Sequence, residues 1–347
     1  MSKELTGNLL KDFDSFLESN ICLVVMPISR LTIDSLPKFY PPAIVFYPEG
    51  YVNLDDLYIK INYLNSNSIA EMASIASRIN QEILGYHPLI VFPIRTSWSI
   101  FVNCGHTEHM EFIRTLSEYV DRSCLNFIRY KQCPIEPIDS LPGRAGMVNS
   151  NSMMSGALLY NYSLKESRII GGAAFTHTIT RGVGLPLDSI NFNLFPKDGE
   201  VGNIVNHALS LYTELLEANS ATSRFVQALS LLEFLAFPDE YKNFQDVKKI
   251  VARYIAKNKS EYETLLDRFF EMTGKKDDTN KMIGYRTRIV HMGESIENIF
   301  QSSNERKSLF LELQSYIKAV IDHMIEHSDK SWVEYLTIRE QLRAFEN

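Results

Sequence analysis

From about residue 200 onward, apolar residues recur at three- and four-residue intervals, while Gly and Pro become rare. That spacing predicts helices over 200–217, 221–236, 245–257, 261–272, 278–292, about 304–327 and 331–345. Pro238 stops the second, Ser260 reads as the cap of the fourth, and Gly274 reads as its end. Antiparallel helices joined by short turns pack into a bundle, so residues 200–347 are expected to form an all-α domain.

The earlier part of the chain has a different pattern. Short β-branched and aromatic runs, CLVVMPI, AIVFYP, YIKINYL, LIVFPI and WSIFVNC, predict strands. Between them, SIAEMASIASRINQEIL and EHMEFIRTLSEYVDRSCLNFIRY carry helical spacing. The Gly-, Ser- and Asn-rich stretch 141–156 predicts a long loop or linker, followed by strand-like GALLYNYSL, RIIGGAAFTHTIT and SINFNLFP. Residues 1–199 are therefore expected to form an α+β domain, with the strand order open.

Length agrees with that division, since 347 residues exceed what one small core organises. The net charge of −7 excludes a broad basic face, so any nucleic-acid contact must be a local site. The four cysteines are scattered, the start MSKELTGNLL is amphipathic, and no apolar run approaches the roughly 20 residues of a membrane span. A cytoplasmic chain with reduced thiols and no membrane contact is expected.

Three stretches invite a chemical reading and lose it. CGHTEHME offers Cys104, His106, Glu108, His109 and Glu111 in one cluster, but zinc sites draw on two clusters or an oriented third ligand. A polar turn is the expectation, with no metal. RGVGLP lacks the spacing of a phosphate-cradling loop. GKKDD at 274–278 reads as a charged interhelical loop, in which Lys275 and Lys276 could help hold a polyanion.

The remaining stretch is Tyr285–Gly293, YRTRIVHMG. On a helix Arg288 and His291 stand about 60° apart, whereas Arg286 and His291 stand about 140° apart. By residue type alone, basic groups near a helix end serve the macrodipole, and Gly293 reads as the terminating residue.

The stretch resembles the R-x(4–6)-H signature of HEPN domains, and most closely the R-S-K-I-V-H-G segment of their Apea-like branch. Here it runs Arg286, Thr287, Arg288, Ile289, Val290, His291, with Met292 inserted before Gly293. Upstream, SRFVQALSLLEFL resembles the branch's Arg-Phe helix with an internal Glu, here Glu233. The resemblance covers about 200–347 and implies a HEPN-like bundle acting as a metal-independent, cofactor-free endoribonuclease. Arg286 and His291 would be catalytic. Arg288 and Thr287, with Lys275 and Lys276, would bind the RNA, while Glu233 and Tyr285 would support the site. A homodimer would complete the acid–base pair, and residues 1–199 would sense an activating signal or partner, as in antiviral defence or toxin systems. The alternative is a non-catalytic HEPN module binding RNA, a nucleotide or a partner protein, including a nucleotidyltransferase.

Overall fold

In a computed structural model, the described residues are 5–18, 20–57, 81–135, 140–148, 154–175, 184–280 and 283–342. They form two compact units that divide between Phe192 and Asn193, with Pro134 and Ile135 grouping with the second. The first is α+β and the second is helical.

The first unit contains α1 (Leu9–Asp12), β1 (Ile21–Pro27), β2 (Leu31–Thr32), β3 (Lys38–Tyr40), β4 (Ile44–Tyr47) and α2 (Gln81–Gly85). It continues with β5 (Leu89–Arg95), α3 (Trp98–Asn103), α4 (His106–Val120), α5 (Asn126–Gln132), β6 (Met154–Asn161), β7 (Glu166–Ala173) and β8 (Leu185–Pro186). Six strands make an antiparallel sheet in the order β3-β4-β5-β1-β6-β7, and β2 pairs with β8 in a separate parallel ladder.

Every residue of β1 is buried. Leu23 and Val25 pack with Phe13, Tyr47, Val91 and Leu158 on one face of the sheet. The alternate residues Val24 and Met26 are equally buried on the other face, where Phe92 meets Tyr119 of α4 at 5.3 Å between ring centroids. Cover on both faces explains why ICLVVMP is continuously apolar rather than alternating.

WSIFVNC is a helix, not the expected strand. Its β-branched composition is overruled by packing at helical spacing. Phe101 is buried against Trp98, His109 and Phe112, while Ile100 remains 68% exposed. SINFNLFP is likewise not a strand but contains a single 3₁₀ turn, Phe192–Leu194, with Leu194 half exposed. The expected strand at 58–64 lies outside the described residues, as does most of the expected helix at 68–84.

His109 belongs to this core. Its Nε2–H donates to the Phe101 carbonyl at 2.8 Å. Burial is the leading cause of a lowered pKa. A histidine depressed in the fold binds fewer protons there than in the unfolded chain. Its contribution is therefore full above the ordinary histidine range and shrinks as pH falls through it. Thermal melts of wild type between pH 7.5 and 5 should lose stability by up to about 1.4 kcal/mol per pH unit from this group. His109→Gln should flatten that dependence, and an unchanged slope would remove His109 as its cause.

The second unit contains α6 (Glu200–Glu217), α7 (Ala221–Ala236), α8 (Phe244–Ile255), α9 (Lys259–Thr273), α10 (Tyr285–Met292), α11 (Ile296–Ile299), α12 (Ser303–Glu326) and α13 (Trp332–Glu340). The cap of α9 is Asn258 rather than Ser260, because the Asn258 side chain accepts from Glu261 N at 3.0 Å and starts the helix earlier. The expected helix over 278–292 begins only at Tyr285. Before it, Asp277 captures the amide and hydroxyl of Thr279 at 2.9 and 2.7 Å, a local turn that competes with helix. Among the described residues, no helix is long and apolar enough to cross a membrane.

Candidate functional site

Helix α10 is only eight residues long, so its stability must come from what it touches. Gly284 precedes it, packed so closely on the backbone of α9 that an added Cβ would stand 2.7 Å from Gly274 N. The amides of Ile283 and Gly284 both donate to the Lys275 carbonyl, at 2.7 and 3.1 Å. Ile289 is buried. Thr287 donates its hydroxyl to the Thr273 carbonyl at 2.9 Å, so this expected RNA ligand instead fastens the helix.

Tyr285 is a second anchor. Its ring meets Phe300 edge-on at 4.9 Å, and the Arg268 guanidinium lies 5.9 Å from the ring centroid. Arg268 forks onto Glu312 at 2.9 and 2.8 Å and also pairs with Glu271, while Tyr316 donates to Glu312 at 2.6 Å. Burial raises the pKa of the Tyr285 phenol, so this platform keeps it neutral.

The charged residues of α10 point to different places. Arg286 reaches across to Glu233 of α7 at 3.1 Å, with about a third of its side chain exposed. Arg288 is held by Glu294, Nη2 to Oε2 at 2.6 Å and Nε to both oxygens at 3.1 and 3.2 Å. That clasp follows from the helix ending. Gly293 takes the left-handed conformation at φ 70°, which returns the backbone amides of Gly293 and Glu294 to the Arg288 carbonyl. The same turn folds the Glu294 carboxylate onto the guanidinium, whose pKa rises chiefly through those hydrogen bonds.

His291 is exposed in the last turn and has no hydrogen bond, ion pair or ring contact among the described residues. Val290 and Met292 beside it are 49% and 46% exposed. Lys275 lies 3.8 Å from Glu271 at the end of α9, and Lys276 is exposed. Within one chain, then, the structure joins Arg286 to Glu233 and leaves His291 in solvent. Glu294, Arg268, Glu271 and Glu312 are site residues that the sequence reading did not single out. A carboxylate just past a terminal glycine was the available signal for Glu294.

The CGHTEHME stretch forms no comparable centre. His109 is turned into the core, and among the described residues no three His, Cys, Asp or Glu side chains are placed to hold one metal ion. No protein-family model matches the chain, and no curated protein or solved structure is similar to it.

The arrangement predicts a competition. A phosphate that takes the Nε–Nη2 edge of Arg288 must displace Glu294, which already occupies it. Glu294→Gln should raise affinity for a short single-stranded RNA by about two- to fivefold, the value of a partly exposed ion pair. Fluorescence anisotropy measures it, and an affinity that falls would mean that Glu294 orders the site rather than guarding it.

Proposed function

We propose that the helical unit is a HEPN-like endoribonuclease module that acts as a two-fold dimer in the cytoplasm. The observation that carries this reading is the exposed, unpartnered His291 on a short helix otherwise fixed at Tyr285, Thr287 and Ile289. A histidine kept for the macrodipole alone would not require so much anchoring of eight residues.

The chemistry suits these side chains. Cleavage through the RNA's own 2′-hydroxyl needs one proton removed from that hydroxyl and one delivered to the departing 5′-oxygen. An imidazole performs either transfer near neutral pH. The attack on phosphorus creates negative charge on the equatorial oxygens, which the forked guanidinium of Arg286 can neutralise. Arg288, Lys275 and Lys276 would hold flanking phosphates, and the scheme calls on no metal or cofactor.

One chain supplies one such histidine, and Arg286 lies on another flank of the helix. A second copy of α10 across a two-fold axis would bring His291 of one subunit beside Arg286 of the other. The exposed Val290 and Met292 give that approach an apolar contact on either side of the imidazole. The α+β unit would then receive the activating signal or partner, as an antiviral or toxin-type effector requires.

The pairing of both arginines with carboxylates favours a second reading, a non-catalytic module that binds RNA, a nucleotide or a protein such as a nucleotidyltransferase. Incubation with total RNA distinguishes the two. The nuclease should leave 2′,3′-cyclic phosphate and 5′-hydroxyl ends that disappear with His291→Ala. The binding module should retain RNA uncut.

A further inference from the structure

The C-terminal end of α12 carries two histidines one turn apart, His323 within the helix and His327 as the residue that ends it. A separation of four residues sets two side chains about 40° apart on one helical face. The ring centroids of His323 and His327 are 5.0 Å apart, with their planes at 65°. Two imidazoles bound to one ion through bonds of about 2.0–2.1 Å hold their centroids roughly 4.5–5.2 Å apart. The pair is therefore already spaced as a chelate.

His323 is also oriented. Its Nδ1 is hydrogen-bonded to the Tyr335 hydroxyl at 3.0 Å, and that hydroxyl is bonded to the Tyr254 hydroxyl at 2.9 Å. Tyr335 of α13 is fully buried and stacked on Trp332 at 5.5 Å, while Tyr254 belongs to α8. With Nδ1–H donating to Tyr335, and Tyr335 donating to Tyr254, the lone pair of His323 lies on Nε2. A metal-ligating histidine has this arrangement, its second nitrogen held by an outer acceptor. The His327 ring makes no hydrogen bond among the described residues and meets His323 edge-on.

The surroundings favour a cation. Both rings are half-buried, so solvent reaches them. The end of α12 presents the negative pole of the helix dipole, and Glu326 stands close enough to act electrostatically on His323. Among the described residues no third His, Cys, Asp or Glu joins the pair, so water must complete the coordination. Imidazole donors select Zn²⁺, Ni²⁺ or Cu²⁺, whereas Mg²⁺ and Ca²⁺ take oxygen ligands. The sequence reading singled out neither histidine.

We propose that His323 and His327 bind one divalent first-row transition ion of the imidazole-preferring class, Zn²⁺, Ni²⁺ or Cu²⁺. Through Tyr335 and Tyr254, the bound ion fastens the end of α12 to α13 and α8. Glu312, beneath Tyr285, lies about 16 Å back along α12 from His323. The ion therefore takes no part in the cleavage scheme, and the proposal does not depend on the nuclease reading.

Calorimetric titration of the metal-free full chain with Zn²⁺ tests it, and one ion should bind per chain. His327→Gln removes one donor at a half-buried position that makes no side-chain hydrogen bond, and should weaken binding by about tenfold or more. His207→Gln, at an exposed histidine on α6, should leave binding unchanged. With Cu²⁺ as the probe, electron paramagnetic resonance should show coupling to two imidazole nitrogens, and to one in His327→Gln. Absence of binding at submillimolar Zn²⁺ overturns the proposal. So does binding indifferent to His327→Gln, binding weakened equally by His207→Gln, or a copper spectrum that His327→Gln leaves unchanged.

Discussion

His291→Ala is expected to reduce RNA cleavage by about 10²- to 10⁴-fold, the range over which a positioned acid or base contributes. The side chain is exposed and unpartnered, so its removal should leave the melting temperature unchanged within error. That separation of activity from stability is the diagnostic feature. Arg286→Ala should also abolish cleavage, but it orphans Glu233 and so carries some stability loss. The two variants together report on the dimer. If each site draws Arg286 from one subunit and His291 from the other, mixing the inactive chains forms heterodimers with one complete site. Random pairing then restores about a quarter of wild-type activity. Gel-resolved cleavage of a defined RNA reads this out, and a mixture as inactive as its components would mean that both groups act within one chain or that one site needs both imidazoles, because the heterodimer keeps a single His291.

How much of this was legible follows the range of the interactions. The boundaries of α6 and α7 coincide with the residues read from periodicity, because an amphipathic helix is specified by its own three- and four-residue neighbours. Strand existence at 22–28, 43–48 and 89–94 was legible for the same local reason. The order that inserts β5 between β4 and β1 was not, because it pairs segments some seventy residues apart. The misreading of 98–104 shows the limit of composition. Ile100 and Val102 favour a strand, yet one aromatic cluster around Phe101 decides for helix. At the candidate site, the residue types of α10 were visible, whereas their pairings were not. Arg286 finds Glu233 on α7, more than fifty residues away in sequence, and Arg288 finds Glu294 only because Gly293 turns left-handed.

Asp121→Ala is expected to destabilise the first unit by about 3–5 kcal/mol, the cost of leaving a buried charge without its partner. Arg129 is fully buried, and its Nη1 donates to Asp121 at 2.7 Å and to Asn126 at 3.2 Å, while Nη2 donates to the Gly143 carbonyl at 3.2 Å. Eight residues along an ideal helix would set Asp121 and Arg129 about 80° apart. Between α4 and α5 the chain makes a wider π turn over Asp121–Leu125, which absorbs one extra residue. The pair is thereby brought to about 20°, equivalent to a seven-residue separation. The bond to Gly143 extends the effect, since the neighbouring Ala145 and Met147 bridge to Ile28 and Ser155 beside the sheet. Replacing both charges, as in Asp121→Leu with Arg129→Met, should recover most of the loss, because no ion is then left buried alone. The chain has two tryptophans, Trp98 in the first unit and Trp332 in the second, so a Trp332→Phe background isolates the first unit's unfolding by fluorescence in urea. A single-variant loss below about 1 kcal/mol would mean that water or a neighbouring group takes over from Asp121. The π turn would then lack the structural purpose argued for it.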